Sequence, residues 1–131
     1  MKTKYLAKII AKDNDGLQMI SACCAEAKVN ISEVKYLPIN KIFLLSLQRL
    51  NKENDKEEIK LNSICKFEFI DNVKSKNINQ NNKELELELL TIDLLKNNKS
   101  YEINLIFSNN RYITLSTEIV EAILEDQSQE T

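Results

Sequence analysis

The sequence predicts an α+β protein: an antiparallel, strongly bent sheet of about seven strands, with one helix after the first strand and one C-terminal helix. Three observations carry this. Most apolar residues recur with a period of two, the period of a half-buried strand, in segments separated by Asn- and Lys-rich stretches. Two other segments, near residues 17–27 and 119–124, repeat their apolar residues at three- and four-residue spacing, as helices do. The connections between successive strands are short enough for hairpins, which favours antiparallel pairing.

The chain has 131 residues, a common size for one domain, so residues 1–131 read as a single unit. Hydrophobic residues make up 43% and charged residues 29%. At this length and composition a core forms without staples.

Residues 4–12 place Tyr5, Ala7 and Ile9 on one parity, the better face of a first strand. Asp15 is then a candidate N-cap, with Gln18 three residues on to reach back as in a capping box. Leu17, Ile20, Cys24 and Ala27 form the apolar stripe of the helix that follows, with Gln18, Ser21 and Glu26 outside it. From Glu33 the period becomes two. Val34 and Tyr36 share a face, and after the turn Phe43, Leu45 and Leu47 do the same. Pairing Leu37 with Ile42 places Tyr36 opposite Phe43 and Val34 opposite Leu45, so the register that closes the turn also gathers the large side chains.

Residues 51–58 are polar without periodicity and read as a mobile loop; residues 71–83, rich in Asn and Lys, read as another. Between them Cys65, Phe67 and Phe69 line one side of a strand. Residues 83–89 alternate Glu and Leu, but Leu90, Ile92 and Leu94 continue on the opposite parity, the signature of a β-bulge between Leu89 and Leu90. Tyr101, Ile103, Leu105 and Phe107 form the next face. A three-residue loop, Ser108-Asn-Asn110, pairs Leu105 with Ile113 and Ile103 with Leu115, whereas a two-residue loop would scatter those apolar residues. Ile119, Val120, Ile123 and Leu124 are spaced for the terminal helix, with Ser116 and Thr117 as candidate caps, and residues 127–131 should fray. Strand, helix, six strands and helix is the layout of a pleckstrin-homology-like barrel; the competing architecture is an open antiparallel sheet with both helices on one face.

Composition removes much chemistry. There is no His or Trp and a single Gly, Gly16, so His-dependent acid/base work, His metal ligands and multi-glycine phosphate cradles are excluded. Cys23, Cys24 and Cys65 match neither a disulfide framework nor a zinc spacing and read as reduced thiols in a cytoplasmic protein. Adjacent helical residues diverge by about 100°, so Cys23 and Cys24 do not form a facing redox pair. No apolar run approaches the ~20 residues of a membrane span, and lysines at positions 2, 4, 8 and 12 interrupt any export signal. A formal charge of −2 offers phosphate backbones no bulk attraction, and no nucleic-acid partner is expected. The excess of Lys over Arg and of Asn over Gly is the imprint of AT-rich coding. Asn is therefore expected where other proteins place glycine in turns.

Asp15-Gly-Leu with Ser21-Ala22, Tyr36-Leu-Pro38 followed by Phe43, and Ile113-Thr-Leu115 leading into residues 118–126 resemble an uncharacterised, mainly alphaproteobacterial family of domains of unknown function, family 2948. The resemblance covers nearly the whole chain. Its members tend to carry a glycine-rich turn where this chain has Ser108-Asn-Asn110, and it brings no activity to carry over.

Among candidate site residues, Glu84, Glu86 and Glu88 share one strand face, but a linear row beside lysines is a solvated surface rather than an oxygen cage for a cation. No His is present to activate a serine, and no local Ser-Lys motif stands out. Tyr36, Leu37 and Pro38 at a hairpin end form either a ligand-contacting rim or simple turn chemistry. Arg49 shares parity with Phe43, Leu45 and Leu47, and Arg111 with Ile113 and Leu115, which places both guanidinium groups at the margins of apolar faces. Each either ties down a carboxylate such as Glu118 or Glu121 or awaits an anionic partner. The sequence thus favours a small non-catalytic binding or adaptor module for a protein or peptide, with Tyr36, Pro38, Arg49 and Arg111 as candidate binding residues and no cofactor or metal. The alternative is an enzyme whose site is assembled from distant Tyr, Lys, Arg and carboxylate residues.

Overall fold

The computed structural model describes residues 7–54 and 57–127. Among these residues nine strands, where about seven are expected, and one helix follow in the order β1 (Lys8–Ala11), α1 (Asn14–Cys24), β2 (Ala27–Leu37), β3 (Ile42–Asn54), β4 (Glu57–Phe67), β5 (Ile70–Lys76), β6 (Glu86–Asn97), β7 (Ser100–Phe107), β8 (Arg111–Thr117) and β9 (Ala122–Asp126). All nine strands lie in one sheet in the order β1-β9-β4-β3-β2-β6-β7-β8-β5, with every pairing antiparallel. The sheet is open, not closed into a barrel. It curls nonetheless: the Ile70 N–H at the start of the edge strand β5 donates to Lys41 O in the β2–β3 turn at 2.8 Å, although three strands separate β5 from β2.

The hairpin registers follow the alternation. Leu37 pairs with Ile42, Tyr36 with Phe43 and Val34 with Leu45; Leu105 pairs with Ile113 and Ile103 with Leu115. The register between β6 and β7 shifts between Leu89 and Thr91, where the parity of the leucines slips. Seven non-glycine residues among those described take positive φ, and four of them are asparagines: Asn77, Asn98, Asn109 and Asn110. Asn serves here as the turn residue because its short polar side chain tolerates the left-handed region better than most.

Helix α1 is capped by Asp13 rather than Asp15, its carboxylate accepting from the Gly16 N–H at 2.8 Å. The helix starts earlier than the Asp15–Gln18 pair suggests, and Gln18 instead reaches Ile92 O across the interface. Leu17, Ile20 and Cys24 are buried as the stripe requires. Ser21 is buried as well, accepting from the Ile92 N–H at 2.9 Å and sharing a 3.1 Å hydrogen bond with Thr91. Gly16 lets the helix lie against β1, since a Cβ there would sit 2.8 Å from the Ala11 Cα. The helix stops at Cys24, and Ala27, expected on its stripe, is already in β2. Glu26 turns the chain at φ 67°, and its N–H bonds to Leu89 O at 2.7 Å, so pairing with β6 takes over from helix propensity.

Three expectations are corrected by strand pairing. In place of the expected C-terminal helix, residues 122–126 form β9, wedged between β1 and β4. Two open edges satisfy its backbone on both sides, and Ala122, Leu124 and Asp126 turn inward. Most of the loop expected at 51–58 is occupied by the ends of β3 and β4, up to Asn54 and from Glu57, with residues 55–56 outside those described. The first half of the loop expected at 71–83 is β5, paired with β8. A strand of polar composition is stable there because one of its edges and one of its faces remain in solvent. Residues 128–131 of the expected frayed tail lie outside the described residues.

The core sits inside the curl and under α1. It includes Phe43, Phe67, Phe107, Leu45, Leu89, Ile103, Leu105 and Leu115, each at most 1% exposed. Phe43 and Phe67, paired across β3 and β4, meet with ring centroids 6.2 Å apart and planes tilted by 54°.

Candidate functional site: a seam between two strand edges

Strand β2 changes partners along its length. Ala27–Asn30 pair with β6, and the Ile31 N–H still reaches Leu85 O at 2.9 Å. A register shift between Val29 and Val34 then swings the strand away, and its second half keeps β3 alone as a ladder partner. Strand β5 pairs only with β8. Two strand edges therefore face each other across the curl without a ladder between them.

The space between them is an apolar cleft of about 380 Å³. Val34, Tyr36 and Phe43 form one wall, Val73, Ser75 and Ile113 the other, and Ile31, Ile78 and Gln80 complete it. One end is tied shut. The Tyr36 hydroxyl donates to Ile70 O at 2.7 Å, next to the Ile70 to Lys41 backbone bond, and Lys41 Nζ meets Asp71 Oδ1 at 2.9 Å outside it. The hydrogen bond to Asp71, reinforced by its charge, raises the Lys41 pKa above the usual lysine value. At the other end polar side chains bridge the residues after β5: Gln80 Nε2 donates to Ser75 Oγ at 3.0 Å and Asn77 Nδ2 to Asn110 O at 2.6 Å.

Of the residues singled out in the sequence, Tyr36 lies in this cleft and is half-buried. Pro38 is exposed in the turn beyond the closed end, its carbonyl accepting from the Lys41 N–H. Arg111 opens β8 opposite Phe107, two residues beyond Ile113 on the same face, and so stands near the other end. Arg49 is elsewhere. Its carboxylate partner is Asp126 rather than Glu118 or Glu121: Nε donates to Oδ1 at 2.8 Å and Nη2 to Oδ2, while Ser63 Oγ donates to Oδ1 at 2.6 Å and the Ala7 N–H to Oδ2 at 2.7 Å. The paired side chains are 7% and 0% exposed. Burial pushes the Asp126 carboxyl up, but the hydrogen bonds from Arg49, Ser63 and Ala7 outweigh it and hold the pKa below the usual value. The same bond to Asp126 raises Arg49 further above its ordinary range.

Four lining residues, Val73, Ser75, Ile78 and Gln80, fall within the stretch whose composition predicts a loop. Their only signal was two isolated apolar residues, Val73 and Ile78, in a polar run, and it becomes meaningful once β8 recruits residues 70–76 as a strand.

Polar side chains of the cleft are engaged within the fold. The Tyr36 hydroxyl is occupied, and Ser75 accepts from Gln80. The three thiols are free; burial pushes Cys24 up to about 12 and Cys65 well above the ordinary thiol value, which keeps both protonated and poorly nucleophilic at neutral pH. Among the described residues no group of three His, Cys, Asp or Glu is placed to hold a metal ion, and no buried side-chain nitrogen or oxygen lacks a hydrogen-bond partner. No helix among them is long and apolar enough to cross a membrane. Glu86, from the acidic row, faces Lys28 on β2 at 3.4 Å.

Fold and cleft together define an α+β domain built on one curled, open antiparallel sheet with an apolar seam between two strand edges. Residues 7–131 match the family described as a protein of unknown function, DUF2948, and the chain belongs to that family. No curated protein and no solved structure matches it.

Proposed function

We propose that this protein is a non-catalytic recognition module of the cytoplasm that receives an extended segment of a partner protein along the seam between β2 and β5. The observation that supports this reading is the pairing of an apolar cleft with two strand edges that lack a ladder between them. An added strand satisfies backbone groups at such an edge, while every second side chain enters the apolar space. In this reading Tyr36 forms a wall of the site, and Pro38 and Arg111 mark its two ends. Arg49 belongs to the fold rather than to the ligand, because Asp126 already occupies its fork. The three free cysteines are the ground for a cytoplasmic setting.

The test uses three fluorescein-labelled octapeptides in which Val alternates with Glu, Thr or Lys. Fluorescence anisotropy is expected to give saturable binding of at least one of them to the wild-type chain. Ser75→Trp, which fills the cleft without burying a charge, should abolish it. Hydrogen exchange should slow at residues 32–37 and 71–76 on binding. Absence of binding by all three peptides, or binding that survives Ser75→Trp unchanged, overturns the reading.

A further inference from the structure

We infer that the segment received by the seam is acidic: carboxylates at alternate positions, apolar side chains between them. This inference rests on the reading above and names the chemistry of the partner. Strand β5 carries Lys74 and Lys76, both exposed, on either side of Ser75, whose side chain lines the cleft. The acid of that strand, Asp71, is taken by Lys41 at 2.9 Å. Strand β8, its ladder partner, has no carboxylate between Arg111 and Thr117. Residues 77–82 contribute no acid either. A chain with formal charge −2 thus reverses its sign along one edge of its sheet, beside its apolar cleft.

Strand geometry converts this into a pattern. Side chains of an added strand alternate between the two faces of the sheet, as those of β5 do: Val73 and Ser75 turn toward the cleft, Lys74 and Lys76 away from it. Residues of the incoming segment that enter the cleft are apolar. Those on the other face come within cross-strand distance of Lys74 and Lys76, beside Tyr112 and Thr114. Lysines on an edge strand also repel indiscriminate pairing, so the same two residues exclude basic and purely apolar strands while admitting an acidic one.

The octapeptides separate the outcomes. Two cross-strand charge pairs should make the Val/Glu peptide bind about three- to tenfold more tightly than the Val/Thr peptide at low salt, with the Val/Lys peptide weakest. The advantage should shrink as salt rises to about 0.5 M. Lys74→Glu with Lys76→Glu, at exposed positions, should reverse the order while leaving the melting temperature within about 3 °C of wild type. Equal affinity for the Glu and Thr peptides, or an order unchanged in the double variant, overturns the acidic assignment and leaves the seam as a general strand acceptor. Failure of every peptide to bind removes the seam itself.

Discussion

Replacing Arg49 by Met removes the charge from the pair with Asp126 while keeping much of the aliphatic bulk that lies in the core margin. Asp126 is then a carboxylate with a side chain 0% exposed, whose two remaining donors, Ser63 and the Ala7 N–H, are neutral. Breaking a buried pair by removing one partner costs about 3–5 kcal/mol, and the two surviving donors place the expected loss near the lower end. Domain stabilities of about 5–15 kcal/mol and a slope of about 3–5 °C per kcal/mol at this chain length turn that loss into a melting temperature lower by about 10–15 °C. Arg49→Lys keeps the charge but not the two-pronged geometry and should cost about 1–3 kcal/mol. The variant carrying Arg49→Met, Ser63→Ala and Asp126→Leu together removes every buried polar side chain of the cluster and should return to within about 1 kcal/mol of wild type. Urea unfolding followed by circular dichroism measures all three. A cost below about 1 kcal/mol for Arg49→Met would show that the pair is not the clamp its geometry suggests. The acid limb supplies an independent check. Because the folded-state pKa of Asp126 lies below its usual 3.8, its contribution is complete above that value and is lost as the pH falls through the folded-state pKa. Wild type should therefore lose stability below about pH 4 more steeply than the triple variant.

Gly16→Ala drives a methyl group to within 2.9 Å of the Ala11 Cβ, so a cost of about 1–3 kcal/mol is expected in urea despite the better helix propensity of alanine. Asn110→Gly relieves an L-residue at φ 56° in the β7–β8 turn and should raise stability by about 0.5–1 kcal/mol; a loss would mean that the Asn110 side chain is needed there. At pH 8 a colorimetric thiol reagent should label half-buried Cys23 quickly and buried Cys24 and Cys65 only on unfolding. Cys24 titrates near 12 in the folded protein against an ordinary 9.0, so its contribution to stability is intact below about pH 9 and declines above it; Cys24→Ala should flatten that alkaline limb.

What the amino-acid sequence determined by itself was local: the apolar faces, the hairpin registers at 37–42 and 105–113, the bulge after Leu89, and asparagines in the left-handed turns. Each depends on neighbours a few residues apart, where a one-residue slip would send a whole face into water. The curl, the last strand and the cleft were decided by tertiary structure. Residues 119–124 satisfy a helical spacing, yet the chain from Ala122 to Asp126 joins the sheet because β1 and β4 leave a strand-wide gap that pairs its backbone on both sides. That placement brings Asp126 to Arg49, a partnership across 77 positions that no local pattern encodes. Residues 71–76 look like a solvated linker because only Val73 and Ser75 turn toward the cleft; the edge of β8 makes them a strand. The cleft exists because β2 leaves β6 at its bulge and meets β5 again only where Tyr36 reaches Ile70. A site formed by two edges that do not pair belongs to the path of the sheet as a whole, and periodicity along the chain carries no record of it.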